Sequence, residues 1–121
     1  MEESVIGNKS FAFAVRIVRL YQFQTEKHEF VLSKQVLRSG TSIGANVSEA
    51  LEAQSKRDFI SKMSIALKET SETIYWLKLL KETDYLTQQQ FQSIHNDAIE
   101  IKKILTAIIK TAKQRLEAQN E

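Results

Sequence analysis

No proline occurs anywhere in the 121 residues of this chain, and no glycine follows Gly44. A sheet protein of this size needs turn residues about every 8–12 positions, so an all-β fold is excluded. Long helices joined by short polar connections remain. The length fits one domain, 1–121, and no linker, repeat or low-complexity stretch divides it. Cysteine is absent, which removes disulfides, thiolate metal ligation and cysteine nucleophiles. No apolar run approaches the roughly 20 residues of a membrane helix. The start Met1-Glu2-Glu3-Ser4 lacks the basic and apolar segments of a signal peptide. A cytoplasmic protein that does not engage a membrane is expected.

Apolar spacing predicts four helices, over about 10–26, 30–53, 56–82 and 88–117. Ser10 is the expected N-cap of the first. That helix has one apolar face of Phe11, Val15 and Val18 and a second of Phe13, Ile17 and Leu20, so it wants two neighbours. In the second helix, Val36, Gly40, Ile43, Val47 and Ala50 form the core seam. Gly40 and Gly44 either let another helix approach closely or mark a break near Ser39-Gly40-Thr41, and a continuous helix is the preferred reading. Ser55 with Asp58 opens the third helix, whose seam is Ile60, Met63, Leu67, Thr70, Ile74 and Leu77. Thr87 with Gln90 opens the fourth. Its seam runs Phe91, Ile94, Ala98, Ile101, Leu105, Ile108 and Ala112. Four helices with short connections predict an all-α, antiparallel up-down-up-down bundle.

Two surfaces stand out beyond the core. On the third helix, Ile65, Trp76 and Leu79 fall opposite the seam, with Glu69 and Glu72 among them. An outward aromatic anchor with carboxylates has the make-up of an oligomer interface, and scattered surface apolars are the alternative. On the second helix, Arg38, Ser42, Asn46 and Glu49 line one face. Arg38 and Glu49 lie about 16 Å apart and cannot pair with each other. Each needs a partner on another helix or subunit, with Glu69 and Glu72 the expected partners of Arg38. A ligand or phosphate contact is the competing reading.

These residues also carry a resemblance. The stretch from Leu37 to Ala50, with its pattern Arg-Ser-x-x-Ser-Ile-x-x-Asn-x-x-Glu, resembles the four-helix-bundle proteins encoded in intervening sequences of bacterial 23S ribosomal RNA genes. The similarity continues through Gln54–Ile60, Ile65–Thr70, Glu72 and Tyr75-Trp76-Leu77, and spans about residues 10–115. Ala50 departs from it, since many members carry glycine there. The resemblance implies a left-handed antiparallel bundle, in relatives a ring-like homopentamer, and no reaction. Similar bundles include the accessory variability determinant proteins of diversity-generating retroelements, pentamers that bind nucleic acid and a reverse transcriptase.

The residues themselves point away from catalysis. There is no Gly-rich phosphate loop, no Gly-x-Ser-x-Gly elbow and no cysteine. Thr25 and Gln92 stand three positions before His28 and His95, so the Glu-x-x-His of a di-metal bundle is missing. Asp97 and Glu100 are three apart but lack an imidazole. No enzyme, metal or cofactor is expected.

Nucleic acid is the better candidate. Lys102, Lys103, Lys110, Lys113 and Arg115 follow one another with no acid between Ile101 and Leu116. Residues 9–57 add Arg16, Arg19, Lys34 and Arg38 among eight bases against four acids. Bases late in a helix also complement its dipole, the formal charge is only +2, and no aromatic platform interleaves with the basic segment. The expectation is a non-enzymatic homo-oligomeric ring that binds RNA or DNA through a basic surface. The alternative is a protein–protein adaptor without nucleic-acid binding, its partner received on the Trp76 stripe or the ring surface.

Overall fold

The computed structural model describes residues 4–119. Met1–Glu3, part of the stretch weighed above as a signal peptide, and residues 120–121 lie outside them. Four helices make up the fold: α1 Val5–Glu26, α2 Val31–Leu51, α3 Lys56–Glu82 and α4 Gln88–Gln119. No strand occurs among the described residues.

The start of α1 corrects the expected cap. Ser4, not Ser10, closes the helix, its hydroxyl accepting the Gly7 N–H at 3.0 Å. Ser10 lies buried on the core face, donating to the Gly7 carbonyl at 3.2 Å. The extra turn forms because Ile6 extends the buried seam of Ser10, Phe13 and Ile17. In α2, Phe30 occupies the N-cap position without a side-chain cap. The buried Glu29 carboxylate takes over, accepting N–H groups of Val31, Leu32 and Ser33 at 3.0, 2.8 and 2.7 Å. Ser55 caps α3 through the Asp58 N–H at 3.0 Å. Thr87 and Gln90 form a reciprocal capping box at α4, 3.0 and 3.1 Å.

How the chain turns without glycine is visible at the far ends of α1 and α3. His28 and Asp84 adopt left-handed backbone, φ 65° and 68°. The following N–H groups, of Glu29 and Tyr85, reach back to the carbonyls of Gln24 and Leu80, each at 2.9 Å. This is the Schellman closure that glycine usually supplies. Fully buried Gln24 ties the two turns together, its amide donating to the Tyr85 carbonyl at 2.9 Å.

Each of α1 and α3 packs against both α2 and α4, while the backbones of the diagonal pairs stay apart among the described residues. Paired positions run in opposite directions. Ser39 meets Thr73 and Glu49 meets Lys62, while Lys9 meets Glu100 and Arg16 meets Asp97. α2 is unbroken through both glycines. A Cβ at Gly40 would stand 2.7 Å from Ile17 Cγ1, and one at Gly44 3.2 Å from the Ser10 carbonyl oxygen. The two glycines therefore serve close approach of α1. In α4 the buried seam runs Phe91, Ile94, Ala98, Ile101, Leu105, Ile109. It shifts from the expected Ile108 to Ile109 because a straight helix drifts from a strict seven-residue repeat.

Gly40→Ala should gain about 1 kcal/mol of helix propensity yet destabilise overall, since displacing buried Ile17 costs about 1–3 kcal/mol. Urea unfolding followed by circular dichroism checks the sign. Glu29 supplies a pH test. Burial raises its carboxyl pKa, but the hydrogen bonds from Leu32, Ser33 and Val31 together outweigh this and hold it below the ordinary 4.5. Its contribution is therefore complete above that ordinary value and lost as pH falls through the lower folded value. Glu29→Ala should cost about 0.5–2 kcal/mol at neutral pH, with the gap to wild type closing in acid.

Candidate functional site

The polar stripe of α2 finds its partners within the chain. Arg38 pairs with Glu72 and lies 3.5 Å from Glu69, both on α3. Glu49 meets Lys62 of α3 at 3.5 Å, and the Asn46 amide donates to its own helix at the Ser42 carbonyl, 2.9 Å away. Deeper in the same seam, the Thr73 hydroxyl donates to Ser39 at 2.9 Å. The stripe is an α2–α3 clasp. Trp76 belongs to it: the indole is half-buried against the core and donates its N–H to Glu72 at 3.2 Å.

That corrects the expected outward stripe on α3. Glu69, Glu72, Trp76 and Leu79 are half-buried, and only Ile65 of that set is exposed. Opposition to one seam residue places a side chain on the flank toward α2, not in solvent. The open apolar face lies on α1 instead, where Phe11, Val15 and Val18 are 62%, 43% and 39% exposed. Beside it a groove of about 590 Å³ opens between α1 and α4, lined by Leu20, Phe23, Leu86 and Ile94 with Arg19 at its edge. α1 does carry two apolar faces: one is buried between α2 and α4, and the face of Phe11, Val15 and Val18 is left open.

The basic residues separate into three groups. The Arg16 guanidinium is held across the α1–α4 seam by Asp97 at 2.6 Å, Ser93 Oγ at 2.9 Å and the Ser93 carbonyl at 3.3 Å. Arg19, Lys34 and Arg115 are exposed but stand apart, Arg115 beside the α2–α3 connection. Lys102, Lys103, Lys110 and Lys113 fall within an arc of about 100° on α4. All four are exposed and none has an ion-pair partner among the described residues. Sequence reading missed Lys68, Tyr75 and Lys78, three exposed residues on the outer face of neighbouring α3. Their 7-and-3 spacing is the available signal, and it gains meaning only beside the lysines of another helix.

His95 stacks on Phe91, ring centroids 4.7 Å apart, with Nε2 buried and unbonded among the described residues. Burial, then the charge of Lys78, lowers its pKa below 6.5. A neutral, packed imidazole results. His28 lies in the α1–α2 turn. Among the described residues no three His, Cys, Asp or Glu side chains converge to hold a metal, and no helix is long and apolar enough to cross a membrane.

The sequence profile of the family described as 23S rRNA-intervening sequence protein matches residues 2–107. A crystal structure from Bacteroides thetaiotaomicron, described as a protein with unknown function from the S23 ribosomal protein family, is similar at 61% identity and a TM-score of 0.86. The similarity covers 88% of this chain and 99% of that one. No curated protein matches. With the signature on α2 accounted for as a structural clasp and the profile covering most of the four helices, the chain belongs to the 23S rRNA-intervening sequence protein family.

Proposed function

We propose that this protein is a non-enzymatic scaffold: an antiparallel up-down-up-down bundle that assembles with copies of itself into a ring and binds RNA or DNA through a basic surface. The carrying observation is the group of four α4 lysines, exposed and without ion-pair partners among the described residues, in a chain where Lys9, Arg16, Arg38 and Lys62 are all paired. Clustered cations on one side of a rigid helix attract phosphate, and a ring multiplies the cluster by its subunit number. Opposed pairings along α2–α3 and α1–α4 support the antiparallel arrangement. Five subunits is the number that the family resemblance implies. The reading needs no cofactor and places the protein in the cytoplasm.

Self-association is supported by the α1 face, which presents Phe11, Val15 and Val18 with no charged residue on the line joining them. The same face favours a second reading, a protein–protein adaptor that leaves nucleic acid alone.

Fluorescence anisotropy with labelled RNA and DNA separates these. Binding should be evident at about 50 mM salt and weaken steeply as salt rises. Replacing Lys103 and Lys110 by Gln should reduce the slope of log affinity against log salt by about 0.7 per lysine on a single strand. A flat titration of wild-type protein would sink the nucleic-acid reading and leave the adaptor. Light scattering tests the assembly. Wild type should run as a ring, and Val15→Glu with Val18→Glu should yield folded monomers, both sites being exposed already. A wild-type monomer would defeat the ring, and a ring untouched by these substitutions would leave the α1 face free for a partner protein.

A further inference from the structure

Six lysines and one tyrosine, drawn from two helices, share a side of the molecule. On α3, Lys68, Tyr75 and Lys78 lie within about 80° of one another, and the tyrosine is 59% exposed. On α4 the corresponding arc holds Lys102, Lys103, Lys110 and Lys113. One contact fixes how the helices sit together, Lys81 over the Phe91 ring, 5.4 Å from its centroid, and the influence of the Lys78 charge on His95 agrees with that register. Continuing that register in opposite directions sets Tyr75 near the level of Ala98, about one turn from Lys102, and Lys68 near Leu105. Along the face the order is then Lys78, Tyr75, Lys102 with Lys103, Lys68, Lys110 and Lys113, over about 27 Å. Glu82 and Glu117 stand at its two ends, and Glu100, off to the α1 side, is paired with Lys9. Between the ends the face is bordered toward α2 by Glu69 and Glu72, which are paired with Arg38, and carries no other acid among the described residues.

We infer that this α3–α4 face is a platform for single-stranded nucleic acid, on which Tyr75 stacks a base and the lysines follow the backbone. The inference rests on the nucleic-acid reading above and narrows it. A duplex offers phosphates but no free base face, so it can use only the lysines. A single strand offers both, and stacking is tolerant of sequence because every base has a π face. Tyr75 suits that role physically. It is largely exposed, and its ring makes a T-shaped contact with Trp76, centroids 5.0 Å apart at 77°. Trp76 in turn is fixed by Glu72, so the exposed ring stands on a rigid base.

The experiment is anisotropy with a fluorescein-labelled oligouridylate of about 12 nucleotides, beside a duplex of equal length. Tyr75→Ala should weaken single-strand binding by about 5-fold to 100-fold, while duplex binding changes by less than about twofold. Tyr75→Phe should restore the single strand, because stacking needs the ring and not the hydroxyl. Trp76 is the only tryptophan and touches Tyr75, so its emission should respond to the single strand in wild type and not in Tyr75→Ala. Wild-type affinity in Tyr75→Ala, with Lys103→Gln and Lys110→Gln still weakening the complex, would overturn the platform and leave backbone binding intact. Failure of wild type to bind either oligonucleotide would overturn both. A change of assembly mass on Tyr75→Ala would make the tyrosine a subunit contact and overturn the platform likewise.

Discussion

The contact on which the arrangement depends is Ile17 of α1 seated in the hollow that Gly40 leaves on α2. Ile17 is fully buried and Gly40 has no room for a Cβ, so the Ile17 side chain packs directly on the α2 backbone. One turn on, Gly44 faces the Ser10 carbonyl. Such proximity turns two poor helix formers into an asset, because interior packing density rewards close surfaces more than propensity penalises glycine. It also explains why the polar residue at position 10 is a serine: a small hydroxyl returning its hydrogen bond to Gly7 fits where a larger polar group would not. With α1 set against α2 this tightly, its remaining circumference is left to face α4 and solvent.

The charges then sort by what each seam requires. α2 and α3 are joined by small buried hydroxyls, Ser39 and Thr73, flanked on the outside by Arg38 with Glu69 and Glu72. Exposed ion pairs of this kind add little stability, so their effect is to fix register and orientation rather than to hold the fold. The α1–α4 seam is thinner and is pinned by Lys9–Glu100 and Arg16–Asp97, each at 2.6 Å. These pairings use bases and acids in nearly equal number. The charges outside these pairs are of both signs but are unevenly placed, with lysines gathered on the α3–α4 side, so a chain with a formal charge of only +2 can still present a distinctly basic face.

Much of this was legible in the sequence, and the failures have physical causes. The seam of α2, the Ser55 cap of α3, the capping box of α4 and the pairing of Arg38 with Glu69 and Glu72 follow from spacing and side-chain chemistry alone. Ser10 misled because a serine before an apolar run is a cap only if the residues preceding it leave the helix, and Ile6 keeps them in it. Glu29 went unread since it caps from one residue ahead of the usual position. Trp76 misled for a different reason. A helix in a four-helix arrangement has two flanks as well as an inside and an outside, and periodicity cannot tell a flank covered by a neighbour from a face left open. The same limit hid Lys68, Tyr75 and Lys78, whose significance depends on lysines from another helix.

The placement of the two open faces decides whether the proposed roles can coexist. α1 packs on α2 and α4, α3 packs on the same two helices, and the backbones of α1 and α3 stay apart among the described residues. They therefore occupy opposite corners of the four. The apolar ridge of Phe11, Val15 and Val18 looks away from one corner, and Tyr75 with its lysines looks away from the other. Covering α1 with a second copy would leave the α3–α4 face uncovered at that contact, and neutralising the lysines with phosphate would not disturb the α1 ridge. A single helical unit can in this way carry an assembly surface and a polyanion surface without asking either to do both jobs. Separation also fixes how the two should couple: a ring adds basic faces side by side, so affinity for a long strand should grow with subunit number while affinity for a strand covering one subunit should not.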